Sequence, residues 1–258
     1  MTKKIYHFFI IAAVNSAAFF LYANEKPRSI FVQGKTEIIE INDLNSSRVI
    51  TLSENYSINY NDLVCTGKGS RTELHHEDLI FRLGSMSVIS WHSLNSVTLH
   101  SGSMLLCSSK TTSITVCSVE ANATFQGSGT IIFETTDNGG FKFIPIEARG
   151  TLITSKGGLK AVKGGRMMLV MGQPSYYGDA YDIDLMLMIK TSGLLNAFPD
   201  PLPSFGRISL AIYSQELKLK GKYNALIGDA TTKDNLQMWQ FGDSNEEIKK
   251  KGFFNRFF

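Results

Sequence analysis

The densest group of ligand-type side chains is the run HHED at residues 75–78. Imidazoles and carboxylates are common zinc ligands. Neighbouring residues of a strand point to opposite faces, so both histidines reach one ion only if the backbone bends there. The run lies between two strand-like segments, TEL at residues 72–74 and LIFRL at residues 79–83, and this pattern is typical of a hairpin turn. We therefore expect turn residues here and predict no metal and no cofactor.

Three further stretches carry residues that catalysis uses. TGKGS at residues 66–70 lacks the G-x-x-x-x-G-K-[ST] spacing that brings amides and a helix N-terminus to a phosphate. QGSGT at residues 126–130 fits the G-x-S-x-G nucleophile elbow poorly. Asp179, Asp182 and Asp184 suggest calcium or glycoside chemistry, but they lack the glycine and terminal glutamate of an EF-hand. We expect these carboxylates to begin a helix and predict a non-enzymatic protein.

The chain contains three cysteines, all in apolar or β-branched surroundings: Cys65, Cys107 and Cys117. Cys107 and Cys117 flank SSKTTS, which has the composition of a turn, so they could face each other across a hairpin and pair after export. The other interpretation, which the surroundings favour, is three small buried hydrophobic residues with free thiols.

Composition and charge limit the partners of the protein. The 258 residues are 43% hydrophobic and 19% charged, which is sufficient for one well-packed domain. The formal charge is +3, and without Lys3 and Lys4 the balance is 24 basic against 23 acidic residues. Such a near-neutral surface lacks the basic patch that nucleic-acid binding requires, so no nucleic-acid partner is predicted.

Residues 1–23 have the pattern of a secretory signal peptide. Two lysines precede an apolar stretch from Ile5 to Tyr22, and a polar segment follows. A retained signal-anchor is the alternative, because the stretch is almost long enough to span a bilayer, although His7 and Asn15 disfavour a permanent membrane helix. Both interpretations predict export to the periplasm or envelope of a bacterium.

The elements that would position these residues are glycine-led strands between about residues 66 and 171. Each joins a turn residue to a short apolar or β-branched run, which predicts an all-β domain. The uneven spacing argues against a strict repeat and leaves a sandwich, a roll and an irregular β-solenoid open. We expect Thr130 and Thr151 to pair strands. The Gly-x-apolar-apolar unit, whose glycines we expect to form turns, recurs at Gly102, Gly129, Gly150 and Gly165.

The domain boundaries follow from this pattern. The β-domain covers residues 30–172, and a helical appendage with a proline-rich connector covers residues 173–222. In the appendage, Asp182 or Asp184 is expected to begin a helix and Gly193 to end it. PDPLPSF predicts an extended linker, and RISLAIYSQELKLKGK fits a helix or a strand. The side chains expected to dock on the sheet are Leu185, Leu187, Met188 and Leu194.

Residues 223–258 are predicted to be a flexible tail ending in KKKGFFNRFF. Basic and aromatic residues together fit an anionic membrane surface or a partner groove, whereas a solvated terminus is the simpler interpretation. The residues that would make such a contact are Phe253, Phe254, Phe257 and Phe258.

Taken in order, the motifs of residues 45–205 resemble a FecR-type domain. The glycine-containing turn of that family corresponds to TGKGS with Gly67, and its acidic hairpin with R-x-G corresponds to ED followed by Arg82-Leu83-Gly84. Its glycine-led strand corresponds to LHSGSMLL with Gly102, and its later GT strand corresponds to GSGTIIFE with Gly129. The order of these motifs is more specific than any single one of them.

The resemblance implies an exported β-domain that binds another protein or an envelope polymer. FecR-type regulators sense an envelope signal and pass it to a cytoplasmic sigma factor, but only four residues precede the apolar stretch here. Iron-responsive gene control is therefore not expected. A membrane-anchored signalling component is one alternative, and a carbohydrate-binding or hydrolytic envelope protein is another.

Overall fold

A computed structural model describes residues 26–42 and 46–220 of the chain. The predicted signal peptide at residues 1–23 and the predicted tail at residues 223–258 lie outside the described residues. Within the described ranges, no helix combines the length and the apolar character that a membrane crossing requires.

The described residues form 15 strands and three short helices, which confirms the predicted all-β class with a C-terminal helical part. The strands are β1 (Arg28–Gln33), β2 (Thr36–Asn42), β3 (Ser46–Thr51), β4 (Leu63–Thr66), β5 (Arg71–His76), β6 (Leu79–Leu83), β7 (Val88–Ser93), β8 (Ser96–Ser101), β9 (Ser103–Cys117), β10 (Asn122–Thr135), β11 (Phe141–Thr154), β12 (Gly158–Lys163), β13 (Arg166–Met171), β14 (Tyr176–Tyr177) and β15 (Tyr181–Asp182). The helices are α1 (Leu185–Thr191), α2 (Gly193–Asn196) and α3 (Phe205–Lys220).

Strand β9 joins two wings of one sheet. The first half of β9 pairs with β6, and that wing continues through β5 to β1. The second half of β9 pairs in parallel with β8, and that wing continues through β7, β4 and β2 to β3. On the other side, β9 pairs along its length with β10, and β10 with β11. The wings enclose an apolar core, where the Phe81 and Trp91 rings lie 5.3 Å apart in an edge-to-face contact.

Strands β5 and β6 form the hairpin that the sequence predicts at residues 72–83. The turn is shorter than HHED, because both histidines lie inside β5 and only two residues connect the strands. Glu77 has a φ of 53°, as tight two-residue hairpin loops require.

The predicted turn at SSKTTS is wrong. Residues 103–117 form one strand, and the polar residues cause a bulge: Gly127 and Gly129 of β10 pair with Thr112 and Ser108 of β9. Between these two pairs, one residue of β10 thus opposes three of β9, which bends the strand instead of reversing it. Small polar side chains at this corner resemble turn residues in the sequence alone.

This strand geometry excludes pairing of Cys107 with Cys117. Both lie on β9, and their partners on β10, Thr130 and Asn122, are eight residues apart, which corresponds to roughly 26 Å along a strand. A disulfide requires Cα atoms within about 7 Å. All three thiols are free, as the favoured interpretation predicts, but only Cys107 is buried, and Cys65 and Cys117 are partly exposed. Their partial burial raises the pKa of the Cys65 and Cys117 thiols.

A second apolar core lies on the outer face of the sheet, the side of β9, β10 and β11 that the helices cover. Leu105, Ile132 and Ile144 from these strands pack with residues of the appendage. The appendage contributes Ile183, Leu185, Met188, Leu194, Leu202, Ile208 and Ile212. Leu185, Met188 and Leu194 therefore dock as predicted, whereas Leu187 is only partly buried.

The appendage departs from its predicted layout at three points, the first being that the strands β14 and β15 lie within it. Asp184 caps α1 as expected and accepts a hydrogen bond from the Leu187 amide at 2.9 Å. Ser192 rather than Gly193 ends α1, and Gly193 begins α2. The proline-rich segment is no free linker, because Leu202 and Ser204 are buried against the sheet. The ambiguous segment after it forms the helix α3.

Candidate functional site

The structure disperses the residues of the HHED run. His75 contacts Glu73 at 2.9 Å between Nε2 and Oε1, whereas the buried His76 lies 3.3 Å from the Tyr60 hydroxyl. Asp78 is exposed and pairs with Lys110 at 2.6 Å. Among the residues that the structure describes, no three His, Cys, Asp or Glu side chains are grouped as metal ligands.

The glycines of the recurrent motif serve two purposes. Gly102 and Gly165 lie at chain reversals with φ values of 79° and 77°. Gly129 and Gly150 lie inside strands β10 and β11, so the turns expected at these two glycines are wrong. A Cβ at Gly129 would stand 2.0 Å from the Glu147 carbonyl oxygen. Glycine there allows two backbones to approach each other closely.

The two threonines of the motif also have different environments. Thr130 pairs with Cys107 of β9, and its buried hydroxyl lies 2.5 Å from the Ser204 hydroxyl, so it also holds the appendage. Thr151 pairs with Gln126 of β10 and with Ala161 of β12.

Gly67 and Gly84 lie at turns that meet beside the appendage. The Gly67 amide donates to the Lys35 carbonyl oxygen at 2.8 Å. Gly84 follows β6, and a Cβ on it would stand 2.5 Å from the Ser103 hydroxyl oxygen. Three Gly-Ser steps, at residues 69–70, 84–85 and 102–103, line the same cavity.

The floor of this cavity is a row of residues across four strands of the outer face. Glu134 of β10 pairs with Ser103 of β9, and the Gly84 amide donates to the Ser103 carbonyl oxygen at 3.1 Å. Thr72 pairs with Leu83, which places Arg71 opposite Gly84. The row therefore consists of Arg71, Gly84, Ser103 and Glu134, in that order. Because neighbouring strands lie about 4.8 Å apart, the Cα atoms of Arg71 and Glu134 are about 14 Å from each other.

The next row on the same face is filled by larger side chains. Glu73, Arg82, Leu105 and Ile132 occupy it, and the helices pack directly against its apolar part. In the floor row, the two middle residues are glycine and serine, and their small size leaves the space above them unfilled. A solvent-accessible cavity of about 530 Å³ remains, and Met188, Leu194 and Phe198 line it from the appendage side.

A buried arginine holds the appendage over the cavity. Arg82 is 1% exposed and donates from Nε to Glu73 Oε2 at 2.7 Å. It also donates to the carbonyl oxygens of Asp200 at 2.5 Å and Leu194 at 3.4 Å, and its guanidinium lies 4.4 Å from the Phe198 ring centre. Hydrogen bonds from a charged donor to three segments fix the 194–200 loop on the sheet.

Charged groups of opposite sign mark the two ends of the floor. Arg71 donates from one terminal nitrogen to the Ala197 carbonyl oxygen at 2.8 Å, and no carboxylate within the described ranges pairs with it. Glu134 pairs through Oε1 with Lys142 at 3.2 Å. The cavity is thus polar along its floor and apolar on its helical wall.

The sequence did not identify Arg71 and Glu134 as site residues. They are 63 positions apart, and only the register of four strands brings them into one row. The available signal was the recurrence of Gly-Ser after Lys68, Leu83 and Ser101, since small residues at aligned strand ends leave space.

The lining can bind a ligand by hydrogen bonds, charge and apolar contact. The described residues that line the cavity offer hydroxyls, one guanidinium and one carboxylate; they include no histidine as a base and no cysteine as a nucleophile. Comparison of the chain with protein-family models, with curated proteins and with solved structures finds no match in any of the three. The function is therefore argued from the cavity itself.

Proposed function

We propose that this protein is an exported, FecR-like binding module without enzymatic activity, and that the cavity between the sheet and the appendage is its binding site. The observation that carries the proposal is the floor row, where small residues at Gly84 and Ser103 keep a cavity of about 530 Å³ open between two charged ends. Pockets of this size with a few placed polar groups are typical ligand sites. Export rests on the predicted signal peptide, and the FecR likeness rests on the order of the glycine motifs.

The way the cavity is built supports binding rather than a packing defect. A void in a core is normally minimised by collapse of its neighbours. Here Arg82 and the carbonyl groups it contacts hold the roof in place, and Ser87 fixes the floor by accepting from the Ser103 amide at 2.9 Å. The cavity is therefore a preorganised feature, and preorganisation reduces the entropy lost on binding.

The test is capture of envelope components by the immobilised full chain. Ser103→Trp places an indole in the cavity, whereas Leu159→Trp adds the same indole at a position that is 70% exposed and outside the site. We expect components of bacterial envelope extracts, identified by mass spectrometry, to bind wild type and Leu159→Trp but not Ser103→Trp. Circular dichroism establishes that both variants are folded. Equal capture by all three proteins would contradict a role for the cavity.

A further inference from the structure

The two ends of the floor have hydrogen-bonding capacity that the fold does not use. A guanidinium carries five N–H donors, and Arg71 uses one of them, toward the Ala197 carbonyl oxygen. At the other end, Lys142 contacts Oε1 of Glu134, and Oε2 has no bond partner in the described part of the chain. Donors for an anion and an acceptor for a cation thus stand at opposite ends of one row.

The distance between the ends limits the length of a ligand. The terminal Cα atoms of the row are about 14 Å apart, and an extended peptide covers at most about 3.3–3.6 Å per residue. Both charged side chains line the cavity. A ligand of two to four residues therefore spans it.

The centre of the row has the character that a peptide backbone needs. Ser103 offers a hydroxyl, and Gly84, whose amide and carbonyl oxygen already bond to Ser103 and Thr66, provides open space in place of a side chain. On the wall, Met188 and Leu194 provide apolar contact for small side chains. Alternation of polar and apolar surface is what an extended peptide presents to its binding site.

We infer that the cavity binds a short peptide with free termini, and this inference rests on the binding function proposed above. The carboxylate of the peptide pairs with Arg71, and its ammonium group pairs with Glu134. Arginine pairs with carboxylates through two parallel N–H donors, so a free C-terminus fits Arg71 better than an amide does. The ammonium group donates to Glu134 Oε2. A neutral sugar has no charged group to pair with Arg71 or Glu134, so the lining fits a peptide with free termini better.

The test is calorimetric titration of the full chain with three probes: trialanine, N-acetyl-trialanine and trialanine amide. We expect trialanine to bind at least tenfold more tightly than either blocked form. Arg71→Gln should abolish the preference over the amide and leave the preference over the acetyl form. Glu134→Gln should do the reverse. A merely structural role of either residue would weaken all three probes by the same factor, so the ratios separate the two explanations.

Equal affinity for the three probes, or no heat with any of them at millimolar concentration, would overturn the peptide inference. Failure of this inference is distinguishable from failure of the binding function. If all probes fail while capture of envelope components still depends on Ser103, the cavity binds another class of ligand. If capture is also independent of Ser103, both proposals are wrong.

Discussion

Arg82 is a buried charge that contacts both the sheet and the appendage. Its guanidinium is buried against Glu73, two backbone carbonyl oxygens and the Phe198 ring. A buried pair is only weak evidence for net stability, because desolvation of both charges opposes their attraction. Removal of Arg82 is different, since it leaves the buried Glu73 carboxylate with only its contact to the half-exposed His75 imidazole.

We therefore expect Arg82→Met to lower the free energy of unfolding by about 3–5 kcal/mol. Urea denaturation followed by circular dichroism measures this change. The control is the double variant Glu73→Gln with Arg82→Met, which removes both charges and should be more stable than Arg82→Met alone. A single variant within about 1 kcal/mol of wild type would contradict this and would mean that His75 or solvent compensates the Glu73 carboxylate.

At the scale of elements, helix α3 illustrates how one face determines docking. Ile208 and Ile212 are buried in the outer core, whereas Leu210 is 64% exposed on the opposite side. Residues four positions apart lie on the same face of a helix, so Ile208 and Ile212 form one apolar stripe. The second half of the appendage is thus held by a narrow apolar contact, in addition to the Gln215 side-chain bonds to the Leu185 amide and the Ile183 carbonyl oxygen.

Ile208→Ser and Leu210→Ser form a matched pair for this contact. The first should cost about 3 kcal/mol of unfolding free energy, because it leaves a cavity and buries a hydroxyl. The second changes the same helix with the same residue type at an exposed position and should cost less than about 0.5 kcal/mol. Chemical denaturation compares the two. Similar losses for both variants would show that helix propensity, not docking, dominates α3.

The sequence predicted those elements whose signals are local. The β5–β6 hairpin follows from two apolar runs around a short polar turn, and α1 follows from Asp184 before an apolar period. Strand β9 was missed because its bulge has the composition of a turn. The role of the proline-rich segment was missed as well, since its anchoring depends on Arg82, more than a hundred residues earlier.

At the scale of the whole molecule, the candidate site could not be predicted because it is a property of register. Arg71, Gly84, Ser103 and Glu134 carry no common motif, and a shift of one residue in any pairing would turn that strand's side chains to the other face. The sequence does contain the repeated Gly-Ser steps. Only the pairing of four strands shows that these steps meet under the appendage.

The same strands also connect the two cores. Leu105 and Leu106 of β9 are neighbours, yet the first packs in the outer core and the second in the inner core. Ile131 and Ile132 of β10 alternate in the same way. Because successive side chains point to opposite faces, a strand that loosens on one side loses its packing on the other.

We therefore expect the sheet and the appendage to unfold as one cooperative unit, although the appendage has its own core. Trp91 lies in the inner core, and in a Trp239→Phe background its fluorescence reports on that core alone. Thermal unfolding followed by this fluorescence and by helix ellipticity should give coincident transitions. Ile208→Ser, which touches only the outer core, should lower both midpoints by the same amount. An earlier loss of ellipticity, with the Trp91 signal unchanged, would show instead that the appendage detaches independently and that the cavity opens when it does.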